Sequence, residues 1–170
     1  MKRVLLSVSV AAIEAFQQLA ESLTSSVQDI SINRDNVLAD VIHLYSSDPM
    51  LPLKQVKVSF IGEKGDDFGG LTKELFTLIW SRLIEEYFEG ESAVVPSLPL
   101  HRQIRQRGDY VAIGRILAHT TALLKMIPAR LSQSTLLSLA LGVEQVPDDI
   151  LLQDFRFGFN LLCNSYMIFL

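Results

Sequence analysis

The sequence is poor in the residues that build disulfide frameworks, metal sites and nucleic-acid surfaces. Its 170 residues include one cysteine, Cys163, so no disulfide forms within the chain, and a reducing intracellular compartment such as the cytoplasm or nucleus is expected. The histidines His43, His101 and His119 stand far apart and match no zinc-ligand spacing. Lys and Arg number 15 against 19 Asp and Glu, a net charge of −4, which argues against a nucleic-acid binder. Neither a metal nor a nucleic-acid partner is expected.

Apolar runs long enough to cross a membrane are also missing, although 49% of the residues are hydrophobic. Near the start, Val4–Ile13 follows two basic residues, as in a secretory signal. Glu14 ends this run and apolar residues continue at helical spacing, so an amphipathic helix explains the segment better. Near the end, Phe157–Leu170 is interrupted by Asn160 and is shorter than the ~20 residues that a spanning helix needs. No membrane association is expected.

Hydrophobic periodicity in the first half predicts helices around a short strand. Apolar residues at helical spacing predict a helix within residues 33–48, with Asn33 or Asp35 as its cap. Alternation predicts a half-buried strand within residues 53–61. Its buried side carries Val56, Val58 and Phe60. After a glycine-rich loop at residues 62–70, a long helix is predicted to end near glycine 90.

The second half predicts one long connection and three more helices. Residues 91–108 lack a sustained period and include the basic stretch 101–107, which favours an irregular connection. The helices begin at Tyr110, at Ser132 and near Pro147. Pro128 stops the first of them and Gly142 the second. The elements together predict one α+β domain, mainly helical, with a short strand element packed among helices.

The loop at residues 62–70 contains four glycines and three acids, which raises two ligand hypotheses. Glycines before a helix favour a phosphate cradle, but Glu63, Asp66 and Asp67 would repel a phosphate. Calcium would use these acids, but the alternating oxygen ligands and closing bidentate Glu of a calcium loop are missing. The sequence therefore favours a turn whose glycines adopt positive φ and whose acids favour the dipole of the following helix.

A catalytic set is not evident from the sequence. No serine lies in a G-x-S-x-G elbow, and Cys163 lies in an apolar run without a basic neighbour, which is typical of an inert, packed thiol. Arg102, Arg105 and Arg107 have no interleaved aromatic residues. They are predicted to lie in a solvated loop or at the rim of an interface and not on phosphates. No catalytic residue and no cofactor is predicted.

Several stretches resemble the HECT domain of ubiquitin ligases. The diagnostic one is residues 56–76, where VKVSFIGE and GDDFGGLTKELF stand one residue apart. They are similar to the strand, the acidic glycine loop and the Gly-Gly-Leu-Ser/Thr-Arg/Lys-Glu helix start that open the larger N-terminal lobe. Residues 33–40 resemble the helix before that strand. Residues 110–118 resemble the helix written Phe-x-x-Ile-Gly-Arg-x-Leu-Gly, with Ala118 replacing glycine, and residues 127–131 resemble the turn that follows.

The resemblance implies a division of the chain into three parts. Residues 33–155 would form a partial HECT N-terminal lobe, preceded by a helical extension at 1–32 and followed by a divergent apolar tail at 156–170. HECT ligases accept ubiquitin from a conjugating enzyme on a cysteine of their C-terminal lobe and pass it to a substrate lysine. Cys163 lacks that cysteine's sequence context. The chain is therefore expected to lack the cysteine lobe and to be inactive alone, as an incomplete gene model or an alternatively spliced product.

The partners implied by the resemblance belong to the ubiquitin pathway. They are a ubiquitin-conjugating enzyme, ubiquitin or a protein substrate, reached through the full-length ligase. The alternative hypothesis is a non-catalytic interaction module that binds a ligase, ubiquitin or a substrate.

Structural roles are expected for the residues that carry the resemblance. They are Gly69, Gly70, Leu71, Glu74, Phe76, Gly114 and Arg115. The two adjacent glycines are expected to allow tight entry into the long helix, with strain on replacing Gly70 if its φ is positive. Glu74 should favour the helix dipole and Phe76 should pack toward the strand. Gly114 should let a neighbouring helix approach closely, and Arg115 should pair with an acid.

Overall fold

The computed structural model describes residue 21 and residues 23–63, 68–141 and 149–163. Its strands are β1 (Val27–Ile32), β2 (Gln55–Phe60), β3 (Phe88–Glu89) and β4 (Val95–Pro96). Its α-helices are α1 (Val37–Ser47), α2 (Gly70–Tyr87), α3 (Leu100–Gln106), α4 (Asp109–Leu124), α5 (Gln133–Leu141) and α6 (Ile150–Cys163). Short 3₁₀ turns lie at Arg34–Asn36 and Leu51–Leu53. The predicted mainly helical α+β fold is confirmed.

Four predicted features lie outside the described residues. They are the N-terminal amphipathic helix, the loop centre at 64–67, the helix stop at Gly142 and the end of the apolar tail at 164–170. The side chain of Cys163, at the end of α6, lies outside the described part as well. The predictions made for these residues therefore stay predictions.

Strands β1 and β2 form a parallel pair in which Ile30 is opposite Val58 and Ile32 is opposite Phe60. All four side chains are buried, and for β2 this is the burial that its alternation predicts. Residues 27–32, predicted as part of a helical extension, form β1 instead. Two buried positions are too few to reveal a period of two in the sequence, and β2 supplies the backbone partners that stabilise the strand.

Helices α1 and α2 cover the strand pair and start at sites that the sequence marks. Before α1, Asn33 Oδ1 accepts a hydrogen bond from the Asp35 amide at 3.0 Å, so Asn33 is the capping residue of the 3₁₀ turn that leads into the helix. Helix α2 follows Gly69, whose φ of +95° is left-handed. Because α1 contacts β1 and α2 contacts both β2 and α1, this half forms one packed layer of helices on a small sheet.

The segment at residues 91–108 contains more regular structure than its sequence predicts. Strands β3 and β4 pair antiparallel, and helix α3 follows them. The prediction of an irregular connection is therefore wrong for residues 100–106. Leu100 and Ile104 are 81% and 90% exposed, so α3 buries no apolar stripe that a helical period would reveal.

Helix α4 runs through the centre of the hydrophobic core. It contacts α1, α2 and α6, and the side chains of Tyr110, Ile113, Ile116 and Leu117 are fully buried. The helix ends at Leu124, ahead of the predicted proline stop. A helix buried on nearly all sides needs small residues where its neighbours come close, and polar residues on it need partners inside the core.

The last two helices begin with side-chain caps. Ser132 Oγ accepts a hydrogen bond from the Thr135 amide at 3.1 Å, as expected for the predicted cap of α5. Asp149 Oδ1 accepts one from the Leu151 amide at 3.0 Å, which caps α6 beside the predicted start.

Helix α6 continues beyond the predicted boundary between residues 155 and 156. Phe155 and Phe159, on either side of that boundary, are both fully buried, so the described part of the apolar tail is a packed helix. Within the described ranges, no helix combines the length and apolar character needed to cross a bilayer.

Candidate functional site

Arg34 connects three segments that are far apart in the sequence. Its Nε and Nη2 donate to the two carboxylate oxygens of Glu63 at 2.6 and 2.9 Å. Its Nη1 donates to Glu74 Oε1 at 2.6 Å, and its Cζ lies 3.9 Å from the ring centroid of Phe60. We call these four residues the Arg34 cluster. A planar guanidinium that bridges two carboxylates over an aromatic ring fixes the three segments at one point.

Two glycines allow the chain to bring both carboxylates to Arg34. Gly62 precedes Glu63 with a φ of +85°, and Gly69 precedes α2 with a φ of +95°. Residues with a Cβ rarely adopt these values. The first glycine turns the chain out of β2 and the second turns it into α2, so Glu63 and Glu74 reach the same guanidinium from two elements.

The Arg34 cluster is open to solvent. The side chains of Arg34, Glu63 and Glu74 are 38%, 46% and 47% exposed. The hydrogen bonds from Arg34 lower the pKa of Glu63, and the hydrogen bonds to Glu63 and Glu74 raise the pKa of Arg34. Water and salt weaken such exposed pairs. The cluster therefore sets the relative positions of three segments more than it stabilises the whole domain.

The residues predicted to form the structural motif lie in two places. Gly69, Gly70, Leu71, Glu74 and Phe76 lie at the start of α2, and Gly114 and Arg115 lie in α4. The positive φ belongs to Gly69 and not to Gly70, which corrects the expectation, because Gly70 is already the first helical residue. Leu71 is half-buried, and the buried ring of Phe76 lies edge-on to that of His119 with centroids 5.7 Å apart.

Gly114 lies where α4 and α6 cross. A Cβ at Gly114 would lie 2.1 Å from the carbonyl oxygen of Phe155 and 2.7 Å from the amide nitrogen of Phe159. On the facing helix, a Cβ at Gly158 would lie 1.9 Å from the carbonyl oxygen of Val111. Any larger residue at either position forces the two backbones apart. The sequence does not single out Gly158, although it stands alone in an otherwise bulky apolar helix.

Arg115 binds a backbone carbonyl and not the expected acid. Its Nη1 donates to the carbonyl oxygen of Tyr45 at 2.7 Å. No carboxylate of the described residues forms a salt bridge with it, and Asp48, whose charge acts on Arg115, pairs with Lys54 at 2.8 Å. The Tyr45 carbonyl needs a donor because the residue four positions on is Pro49, which has no N–H. Burial lowers the pKa of Arg115, and its Nε has no partner among the described residues.

His119 makes a second set of buried hydrogen bonds between elements. No structural role is predicted for it from the sequence. Its Nε2 lies 2.9 Å from the carbonyl oxygen of Lys54, which only accepts, so we assign the proton to Nε2. Its Nδ1 then accepts from the Tyr45 hydroxyl at 2.6 Å. Burial lowers the pKa of His119 to about 4, so the ring is neutral at physiological pH. A histidine inside a largely apolar helix is the sequence signal for such a connection.

The described residues include two buried polar side chains at the core and an open groove at the surface. Among them, no three His, Cys, Asp or Glu residues are arranged to hold a metal. His119 is fully buried and Tyr45 nearly so, which keeps a substrate away from both. A groove of about 990 Å³ is open between α1 and the second half of α2, and Arg34, Arg82 and Glu86 are among the residues that line it. An open groove with both signs of charge suits contact with a polar surface.

Comparison with known proteins gives a distant similarity. No family model matches the chain. The chain is 28% identical over 93 residues to the bifunctional serine/threonine-protein kinase/NEDD4-like E3 ubiquitin-protein ligase of Dictyostelium discoideum. The match covers 52% of this chain and 5% of that protein. The chain thus has a distant, partial similarity to a NEDD4-like ubiquitin ligase, and membership of the HECT family stays a prediction.

Proposed function

We propose that the chain is part of the N-terminal lobe of a HECT-type ubiquitin-protein transferase and acts in protein ubiquitination in the cytoplasm or nucleus. The Arg34 cluster is the observation that carries this proposal. It joins residues from segments 33–40, 56–63 and 65–76, which are the segments that resemble the start of the HECT domain. The similarity to a NEDD4-like ubiquitin ligase supports the same assignment.

In this proposal the chain supplies a framework and not the thioester chemistry. A thioester relay needs an accessible thiolate, and Cys163 is the one cysteine of the sequence, in an apolar stretch. A ubiquitin-conjugating enzyme, ubiquitin or a protein substrate would be engaged by the full-length ligase, and this chain would supply part of the surface that binds one of them. The 170-residue polypeptide is therefore expected to be inactive by itself.

Binding to components of the ubiquitin pathway tests the positive part of the proposal. Isotope-labelled ubiquitin and an isotope-labelled conjugating enzyme are titrated separately with the chain, and their NMR spectra are followed. We expect saturable chemical-shift changes in at least one of the two proteins. An unrelated acidic protein of similar size serves as the control titrant. Unchanged spectra of both labelled proteins would remove the support for a role in ubiquitin transfer.

Thioester formation tests the negative part. The chain is incubated with activating enzyme, conjugating enzyme, ATP and ubiquitin, and the products are separated with and without a reducing agent. We expect no reducible adduct of ubiquitin with the chain. An adduct that disappears in Cys163→Ser would show that this cysteine is the acceptor and that the framework role is wrong.

A non-catalytic interaction module is the second candidate, and the exposed apolar side chains of α3 favour it. Excess chain is added to a ubiquitination reaction driven by a complete NEDD4-like ligase. Inhibition without an adduct on the chain supports a module that competes for a partner of the ligase. An unchanged reaction rate excludes such competition.

A further inference from the structure

The outer face of α3 presents two large apolar side chains to solvent. Leu100 and Ile104 are 81% and 90% exposed, and they lie four positions apart, on the same side of the helix. Apolar side chains scattered singly on a surface need no explanation, but neighbouring ones on one face mark sites where other molecules bind.

One of the three arginines on and directly after α3 makes no polar contact with the described residues and lies beside Leu100 and Ile104. Arg102 donates to the carbonyl oxygen of Glu86 at 3.1 Å, and Arg107 donates to Asp154 at 2.6 Å. Arg105 is exposed and has no hydrogen bond or salt bridge to a described residue. Two of the three basic groups are therefore used inside the molecule, and the third faces outward.

Arg105 follows Ile104 in the sequence, so its positive charge lies at the edge of the exposed apolar pair. We define the α3 face as Leu100, Ile104 and Arg105.

Contacts on the inner side of α3 fix this face in place. Gln103 Nε2 donates to the carbonyl oxygen of Leu98 at 2.8 Å, and the contacts of Arg102 and Arg107 hold the helix to α2 and α6. The exposed side chains therefore project from an anchored helix, which lowers the entropic cost of binding a partner.

We propose that the α3 face binds an acidic amphipathic helix of a partner protein. Apolar side chains of that helix would cover Leu100 and Ile104, and a carboxylate would pair with Arg105. A single outward arginine is too little positive charge for nucleic acid or an anionic bilayer, which are held by many basic contacts. This proposal does not depend on the assignment to a ubiquitin ligase.

A phage-displayed library of helical peptides, selected against the whole chain, tests the proposal. We expect the selected peptides to combine acidic residues with apolar residues three and four positions apart. Affinities of the best peptide are then measured by fluorescence anisotropy. Arg105→Glu and Ile104→Ser are each expected to weaken binding roughly tenfold or more. Lys73→Glu, at an exposed lysine on α2, is the matched control and should leave the affinity unchanged.

The same measurements contain the outcomes that overturn the proposal. Selected peptides without acidic enrichment, or binding that Arg105→Glu leaves intact, would refute it. Sedimentation showing a dimer that Ile104→Ser dissociates would assign the face to a second copy of this chain instead. Binding of the chain to phosphatidylserine vesicles through Ile104, with no selected peptide binding there, would assign it to a membrane. Because the substituted side chains are exposed, each variant should keep the circular dichroism spectrum of the parent.

Discussion

The Arg34 cluster and the α4–α6 crossing both hold segments of the chain together, but by different physical means. At the cluster, one guanidinium reaches Glu63 and Glu74 through hydrogen bonds in a solvent-exposed setting. At the crossing, Gly114 and Gly158 remove side chains so that two backbones touch in the core. The first depends on charge and tolerates small movements of the chain. The crossing depends on the absence of side-chain atoms between the two backbones, and it tolerates almost no movement of the chain.

The difference shows where global stability and local geometry come from in this domain. Buried contacts around α4 stabilise the folded state and are broken only when the domain unfolds. Exposed charge pairs are weakened by water and salt even in the folded state. We therefore expect substitutions at the crossing to lower the free energy of unfolding of the whole domain. Substitutions at the cluster should act mainly on the start of α2.

The largest effect is expected from Gly114→Ala. The added methyl would lie 2.1 Å from the Phe155 carbonyl oxygen, and the two helices would have to separate. We expect a loss of about 3 kcal/mol in the free energy of unfolding, measured by urea denaturation. Gly70→Ala is the matched control, because a Cβ there meets no atom within 4 Å. Equal stability of the two variants would show that the helices do not approach as closely as described.

The next effect is a dependence of stability on pH that His119 causes. The pKa of His119 falls from 6.5 to about 4 on burial, so between these values the unfolded chain binds a proton that the folded chain does not. Stability is therefore complete above 6.5 and is lost as the pH falls toward 4. At pH 5 we expect a loss of about 2 kcal/mol relative to pH 7.

His119→Gln isolates this contribution. Whatever the absolute stability of the variant, its free energy of unfolding should change much less between pH 7 and pH 5 than that of the parent. Asp48 and Glu63, whose pKa values lie below their usual 3.8 and 4.5, lose stabilisation in the same direction but at lower pH. An equal pH dependence in parent and variant would exclude His119 as its source.

A smaller effect is expected at the entry to α2. Gly69 has a φ of +95° and free space around its missing Cβ, so Gly69→Ala adds backbone strain without a clash. We expect a loss of about 1 to 2 kcal/mol, with Gly69→Asn intermediate because asparagine tolerates left-handed φ better than alanine. Thermal denaturation of both variants beside Gly70→Ala measures this. A larger loss of stability for Gly70→Ala than for Gly69→Ala would show that the left-handed residue is Gly70 and not Gly69.

Most helices and β2 could be predicted from the sequence because each buries a face that repeats with a regular period. Strand β1 and helix α3 could not. The first has only two buried positions, and the second buries no apolar side chain at all. Local signals such as the cap at Ser132 also agree with the structure, since a cap needs only residues that are close in the sequence.

The contacts of the candidate site join residues that are far apart in the sequence, so they could not be predicted from the sequence. Arg34 lies 29 residues from Glu63 and 40 from Glu74, and no pattern within the chain pairs them. Arg115 was expected to pair with an acid because it is charged. Its partner is the Tyr45 carbonyl, which needs a donor because Pro49, four positions further on, has no N–H. Which polar group is left without a partner in the core is decided by the packing of helices.

The smallest effect on global stability is expected from Arg34→Ala, even though Arg34 makes the most contacts at the candidate site. The melting temperature should fall by only a few degrees, and by less at high salt, because exposed charge pairs are screened. Hydrogen exchange should become faster at Glu63 and in the first turn of α2, but not in α4. Arg34→Lys keeps the charge without the two-pronged contact to Glu63 and should give an intermediate exchange rate. Faster exchange throughout α4 would instead mean that the cluster supports the core, and the contrast between an exposed positioning contact and a buried crossing would no longer hold.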